Sequence, residues 1–223
     1  MNTKLFFEAV IKFLLGIVLV GTLIFLPAGT FLFFNGWLLM TILFVPMFIA
    51  GIIMMLKNPN LLKSRINAKE KQKEQSVIVA LSGVMFLAGF IVAGLDFRFK
   101  WFILPRSITI IAAAVFLLAY LIYAEVLREN AYLSRTIEVK ENQRVIDTGL
   151  YGIVRHPMYT ATILLFLTMP IVLGSLYSFV IFLAYPIIII RRIKNEEVLL
   201  EKELNGYIEY KQKVKYRLIP FIW

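Results

Sequence analysis

An all-α integral-membrane fold is the architecture this sequence predicts: four transmembrane helices, then a C-terminal helical hairpin and a cytoplasmic C-terminal helix. Three observations predict it. Hydrophobic residues make up 60% of the 223 positions, with a mean hydropathy of +0.80. The charges gather in a few clusters between apolar runs long enough to cross a bilayer. The basic residues fall almost entirely on one side of the resulting spans, as the positive-inside rule requires.

The first span is expected from about Phe13 to Leu32, after a short mixed stretch in which Glu8 and Lys12 stand one helical turn apart and are placed to pair. The run is long for the apolar core of a signal peptide, and further spans follow it. Leu26-Pro27-Ala28-Gly29 and Asn35-Gly36 mark the turn to a second span, Gly36 to Leu56. Residues 57–75 then carry six basic side chains (Lys57, Lys63, Arg65, Lys69, Lys71 and Lys73) against two acids. This loop is therefore cytoplasmic, and with it both termini. A third span, Val77 to Leu95, leads to an outer turn at Asp96-Phe97-Arg98-Phe99-Lys100-Trp101. A fourth, Ile108 to Leu127, returns.

Length decides the reading of residues 160–190. They form a nearly uncharged run of 31 residues, about 46 Å as a helix against a hydrocarbon core of about 30 Å. Pro170 and Gly174-Ser175 interrupt it near the middle, so a hairpin of two short arms is expected, with both ends on the cytoplasmic face. On that topology three of the 24 Lys and Arg residues, Arg98, Lys100 and Arg106, lie outside and 21 inside. The tail from Arg191 to Trp223 reads as a surface helix, with Leu199, Leu200 and Leu204 on one side. Its aromatics Tyr207, Tyr210, Tyr216 and Trp223 suit the headgroup zone.

The chain is read as one polytopic membrane domain, with residues 1–127 as a four-span scaffold and 128–223 as the region that carries chemistry. With no cysteine, thiol catalysis and cysteine-based metal sites are excluded, and a single histidine argues against a His-based metal centre. The net charge of +10 is accounted for by membrane topology rather than by nucleic acid. The bilayer is the expected partner.

The polar residues that do not serve topology collect at Asp147 to Tyr159 and again at Arg192 to Glu197. Pro157 suits a first helical position, because its missing N–H has no partner there and its φ is already helical. The amides of Met158, Tyr159 and Thr160 are then expected to be free of intrahelical partners and to point, with the positive end of the helix, at whatever sits beside His156. Glu196 and Glu197 project about 100° apart, so one role for both is not expected. Glu196, one turn after Arg192, is placed to pair with it. Arg155 is read either as a support of this cluster or as a topology anchor, and Glu197 as a support.

Gly149-Leu150-Tyr151, Arg155-His156-Pro157-Met158-Tyr159, an apolar hairpin, Glu196-Glu197, Tyr207-Ile208-Glu209-Tyr210 and Tyr216-Arg217-Leu218-Ile219-Pro220 form an ordered set. That set resembles the isoprenylcysteine carboxyl methyltransferase family, whose wider superfamily includes membrane phospholipid N-methyltransferases. The resemblance implies an S-adenosylmethionine-dependent membrane methyltransferase without a Rossmann domain, with a lipophilic, lipid-like or prenylated acceptor as its partner, and no G-x-G-x-x-G run occurs here. It places cofactor contacts at Gln143, Arg144, Val145, Ile146, Tyr151, His156, Pro157, Met158, Tyr159 and Glu196. It makes Arg192 the residue that holds a substrate carboxylate, with Arg192, Glu196 and His156 nearest the chemistry and no metal involved.

Methyl transfer from a sulfonium is an in-line displacement, so the protein's task is to hold nucleophile and methyl group together and keep water out. A carboxylate nucleophile needs desolvation and one positive partner, which an arginine supplies as a bidentate fork. An amine nucleophile would need a proton acceptor instead, and Glu196, Glu197 or His156 is of the right type. Two further readings stay open on the sequence. Steroid reductase-like proteins have a similar helical layout and would use a nicotinamide cofactor, and a non-enzymatic accessory protein retaining the fold would bind neither.

Overall fold

The computed structural model describes residues 3–66, 73–134, 136 and 138–223. The long helices are α1 (Thr3–Ala28), α2 (Phe34–Lys57), α4 (Lys73–Phe99) and α5 (Arg106–Glu129), with a short α3 (Pro59–Ile66) after α2. The site-bearing half adds α6 (Pro157–Val172), α7 (Leu176–Phe182), α8 (Ala184–Glu203) and α9 (Tyr207–Lys213). No strand occurs among the described residues. The four expected spans are present and all are long and apolar enough to cross a bilayer. α2, α4 and α5 extend a few residues beyond their apolar runs, whereas α1 starts earlier and stops at Ala28, short of the expected Leu32, because Gly29 turns the chain with φ +69°. Their outward faces are lined with exposed Leu, Ile, Val and Phe, which is how a chain dissolved in lipid disposes of its apolar surface. Glu8 and Lys12 pair at 2.7 Å as their spacing requires.

Other placements also differ from the sequence reading. Asn35-Gly36 is not part of the first turn but lies inside the start of α2. Gly36 is buried, and a Cβ there would stand 3.1 Å from Ile24 and Phe25 of α1, so this glycine serves close helix packing rather than chain reversal. Of the basic loop, Lys63 and Arg65 belong to α3, whereas Lys69 and Lys71 lie outside the described residues. Asp96, expected in an outer turn, is buried in the last turns of α4.

The hairpin forms, with unequal arms. Its first arm, α6, has 16 residues, about 24 Å, short of a full crossing. The second is α7 and α8 in near continuity, 28 residues from Leu176 to Glu203 and long enough to span. The one-residue interruption at Leu183 precedes Pro186, which has no N–H to offer the carbonyl of Phe182. The turn is built as the break signals require: Gly174 adopts φ +80°, Ser175 N–H bonds the Pro170 carbonyl at 2.9 Å, and Gly174 N–H bonds that of Ile171 at 3.0 Å. Together these are a Schellman closure of α6.

Ser175 then starts α7. Its hydroxyl oxygen accepts from Ser178 N–H at 3.1 Å and donates to Asp96 Oδ2 at 2.5 Å, while Asp96 Oδ1 accepts from Phe102 N–H at 3.0 Å. Both side chains are buried, so the hairpin tip is fastened to α4 by a satisfied polar clasp. Ser175→Ala removes the cap and one partner of a buried carboxylate, and is expected to lower unfolding free energy by about 1–3 kcal/mol, measured by thermal unfolding in detergent.

Packing holds the site end in place. α5 lies along α6, with buried Ala112, Ala113 and Ala119 allowing close approach. α1 packs on α4, and α4 in turn supports α7 and α8. The expected single tail helix is instead two. α8 ends at Glu203, Gly206 turns the chain with φ +82°, and α9 folds back so that Tyr207, Tyr210, Val214 and Leu204 form a small separate core. Tyr207 and Tyr210 are therefore interior residues, not headgroup-zone aromatics, because the turn at Gly206 directs that face of α9 inward.

Candidate functional site

Where α6 begins and α8 leaves the apolar layer, the two halves of the predicted site meet. Glu197 is the hub. Arg155 Nε donates to its Oε1 at 2.8 Å, the His156 Nε2 lies 3.2 Å from the same oxygen, and Arg217 Nε donates to Oε2 at 2.8 Å. Glu197, Arg155 and His156 are all buried. Arg155 Nη1 donates to the carbonyls of Val214 and Lys215, at 2.7 and 2.8 Å. It is thus a structural partner of the cluster and not a topology anchor at the lipid surface. The tail runs beside it: Arg155 and His156 amides bond the carbonyls of Tyr216 and Arg217, and the Thr160 hydroxyl bonds that of Leu218.

Pro157 opens α6 as its chemistry demands, with His156 as the residue before the helix. The His156 side chain does not cap the helix; its ring is turned to Glu197. The expected row of free amides is only partly present. Tyr159 and Thr160 N–H both bond the His156 carbonyl, at 3.0 and 3.2 Å, because the flanking residue's carbonyl starts the helical ladder.

A second cluster sits one turn further into the membrane. Tyr159 donates its hydroxyl hydrogen to Glu196 Oε2 at 2.6 Å and accepts from Arg192 Nε at 2.9 Å. Arg192 is buried and Glu196 half-buried. The neighbouring glutamates thus diverge, as their 100° separation requires: Glu197 faces the tail and Glu196 faces a cavity.

That cavity, about 830 Å³ and open in part to solvent, lies between the segment after α5, the start of α6, the end of α8 and α9. Its wall includes Gln143, Arg144, Val145, Ile146, Tyr151, Arg155, His156, Met158, Tyr159, Arg192 and Glu196. Pro157 and Glu197 do not line it. The loop is held by its own bonds. The Glu129 carboxylate accepts from Leu150 N–H, Asn130 donates to the Tyr151 hydroxyl at 3.1 Å, and Lys213 pairs with Asp147 at 2.7 Å. Gln143 Oε1 accepts from Lys140 N–H, closing a local turn.

Several wall residues escaped the sequence reading: Asn130, Glu138, Leu200, Leu204, Tyr207 and Tyr210. Leu200-Leu204 and Tyr207-Tyr210 each have helical spacing, which was the available signal for an inward stripe. Tyr210 donates to the Tyr151 carbonyl at 2.7 Å, whereas the Tyr207 hydroxyl is buried without a hydrogen-bond partner among the described residues. Burial raises the phenol pKa of Tyr151, Tyr207 and Tyr210 above the ordinary tyrosine range, so all three are neutral O–H donors at neutral pH. Arg65, from α3, also reaches the site's margin. It donates to the Ser134 carbonyl at 3.1 Å, bonds the Tyr123 hydroxyl and lies 3.7 Å from the Met158 sulfur. Among the described residues no group of three or more His, Asp or Glu side chains is placed to hold a metal ion.

Fold and site together define a multi-pass helical membrane protein with an ion-paired polar centre at one membrane face and a cavity beside it. Residues 108–202, from α5 almost to the end of α8, match the profile of the isoprenylcysteine carboxyl methyltransferase (ICMT) family. The tail motifs at Tyr207 and Tyr216 lie beyond the matched residues. Among characterised proteins, the Delta(14)-sterol reductase TM7SF2 of Mus musculus is 28% identical over 91 residues. That stretch is 40% of this chain and 22% of the reductase, so the match spans about a fifth of that relative's length. A solved structure, that of the eukaryotic intramembrane Ras methyltransferase ICMT, aligns over 99% of this chain and 85% of its own, at 17% identity and a TM-score of 0.49.

Proposed function

We propose that this protein is an S-adenosylmethionine-dependent methyltransferase that modifies a lipid-like or prenylated acceptor at a carboxylate, with its site and both termini on the cytoplasmic side. The observation that carries this reading is the hydrogen-bonded line from Arg192 through Tyr159 to Glu196 along the cavity wall. One cation and one carboxylate are held there at a fixed separation, beside the partly open cavity.

The residues present fit the cofactor. Tyr207 offers a buried hydroxyl with no partner among the described residues, Glu196 an acceptor for an ammonium group, and Val145, Leu200 and Leu204 an apolar surface. Gln143 to Ile146, Tyr151, and His156 to Tyr159 would complete the binding wall, with Pro157 setting the helix start rather than touching the ligand. When bound, S-adenosylmethionine supplies a methyl group on a positively charged sulfur. The chain's own work is positional. Arg192 orients and desolvates the acceptor carboxylate, and Tyr159 fixes Arg192 and Glu196 relative to one another. Glu197 keeps Arg155 and His156 in place from behind. In this reading residues 1–127 are scaffold and 128–223 bear the chemistry. An amine acceptor, as in phospholipid N-methylation, would need a proton acceptor in place of Arg192's fork.

The sterol reductase match favours one competing reading, a nicotinamide-dependent membrane reductase. Calorimetric titration of the detergent-purified protein with S-adenosylhomocysteine and separately with NADPH divides the two. The expected result is S-adenosylhomocysteine binding that weakens at least tenfold in Glu196→Ala and in His156→Ala, about 1.4 kcal/mol or more. Binding of NADPH alone would replace the proposal with the reductase, and binding of neither by folded protein would leave a non-enzymatic accessory role.

A further inference from the structure

On the side of α8 away from the cavity, a groove of about 1000 Å³ runs between the start of α4 and α8. Its floor is apolar, formed by Val77 and Leu81 of α4 and Ile187 and Ile188 of α8. At its polar end stand Arg191 and Lys194, both exposed, and among the described residues neither has a carboxylate within salt-bridge distance. The groove shares no lining residue with the cavity. Helical geometry gives the reason: measured in the same direction, Arg191 and Lys194 are about 100° and 160° around α8 from Arg192.

Topology alone does not require this arrangement. A basic residue that only fixes orientation is satisfied by reaching water or headgroups anywhere around the helix. Here two cations one turn apart crown a cleft whose walls are aliphatic and which opens to the lipid. Basic pockets between transmembrane helices, with apolar walls below, have the chemistry of an anionic phospholipid: phosphate on the cations, acyl chain on the aliphatic floor.

We propose that the α4/α8 groove is a binding site for an anionic phospholipid of the surrounding bilayer. The phosphate is held by Arg191 and Lys194, and an acyl chain lies along Val77, Leu81, Ile187 and Ile188. The occupant is a resident lipid and not the reacting acceptor, because the groove's cations face away from Arg192 and Glu196. The bound lipid cements α4 to α8 and so steadies the helix that carries the site.

The test uses the full chain purified in a neutral detergent, with native mass spectrometry counting retained lipid and thermal unfolding reading its effect. Phosphatidylglycerol is expected to be retained roughly thirtyfold better than phosphatidylcholine of the same chain length, the contribution of two cations near the membrane surface. In Arg191→Gln/Lys194→Gln that preference should fall to within about threefold, with elution and circular dichroism unchanged. Leu81→Trp, which fills the floor and leaves the charge alone, should also release the lipid. Equal retention of phosphatidylcholine, or undiminished phosphatidylglycerol in the double variant, would overturn the site. Stabilisation by inorganic phosphate equal to that by the lipid would reduce it to an anion contact and overturn the lipid assignment. Displacement of the lipid by one equivalent of N-acetyl-S-farnesylcysteine would assign the groove to the acceptor and overturn the resident-lipid proposal. None of these outcomes depends on whether the cavity binds S-adenosylhomocysteine.

Discussion

Glu197→Ala is expected to cost about 3–5 kcal/mol of stability, the largest effect of any single substitution at the site. Glu197 is the common acceptor for Arg155, His156 and Arg217, and the first two of these are buried with it. Removing the carboxylate leaves the Arg155 guanidinium in the interior with carbonyl partners but no opposite charge. Arg217 is partly exposed and can turn to water, so the penalty falls on Arg155 and His156. Thermal unfolding in detergent checks this, with a drop of roughly 6–20 °C expected if the scaling known for soluble domains of this length holds. Glu197→Gln keeps an acceptor oxygen and should fall between the two. Unfolding of Glu197→Ala at the wild-type temperature would mean that the cluster is not what holds the tail to α6.

Arg192→Lys is expected to lower kcat/KM for a prenylcysteine carboxylate by about 10²–10³ while changing S-adenosylhomocysteine affinity by no more than about threefold. Lysine keeps the charge, yet it is a point donor that cannot present two parallel N–H groups to a carboxylate while also donating to the Tyr159 hydroxyl. Transfer of labelled methyl groups to N-acetyl-S-farnesylcysteine, alongside calorimetry on the same preparation, separates the two quantities. The variant also discriminates between acceptors. If the nucleophile is an amine, Arg192→Lys should be nearly silent and Glu196→Gln severe.

The parts of the molecule legible from sequence are those governed by local physics. Four spans, the Pro170 and Gly174-Ser175 break and the helix start at Pro157 follow from apolar length, backbone chemistry and a missing N–H, and all are present. The convergence of Arg192 and Glu196 with His156 and Tyr159 followed from the hairpin alone, because a chain that returns to its starting face must bring its ends together. What sequence reading did not reach depends on contacts between distant residues. Arg155 reads equally as a surface anchor until Glu197, Val214 and Lys215 are seen around it, 42 to 60 positions later. Tyr207 and Tyr210 look like interfacial aromatics until Gly206 turns α9 inward. Gln143 to Ile146 have little periodicity of their own, and the cavity wall they form exists only because Glu129, Asn130 and Lys213 tie down the segment around them.

The tail that pairs with Arg155 and His156 has a consequence for biogenesis. A chain made from its N-terminus inserts α1, α2, α4 and α5 before the tail residues exist, so Arg155 and His156 emerge with neither their carboxylate nor their carbonyl partners. Only when the segment from Val214 to Leu218 has left the ribosome can the amides at 155 and 156 find their acceptors. The tail half of the polar centre is thus the last part of the molecule to consolidate. A nascent chain stalled after α8 would hold the Glu197 carboxylate for Arg155 and His156 but lack the carbonyls of Val214 to Leu218 and the Arg217 side chain, so its polar centre would be only half latched.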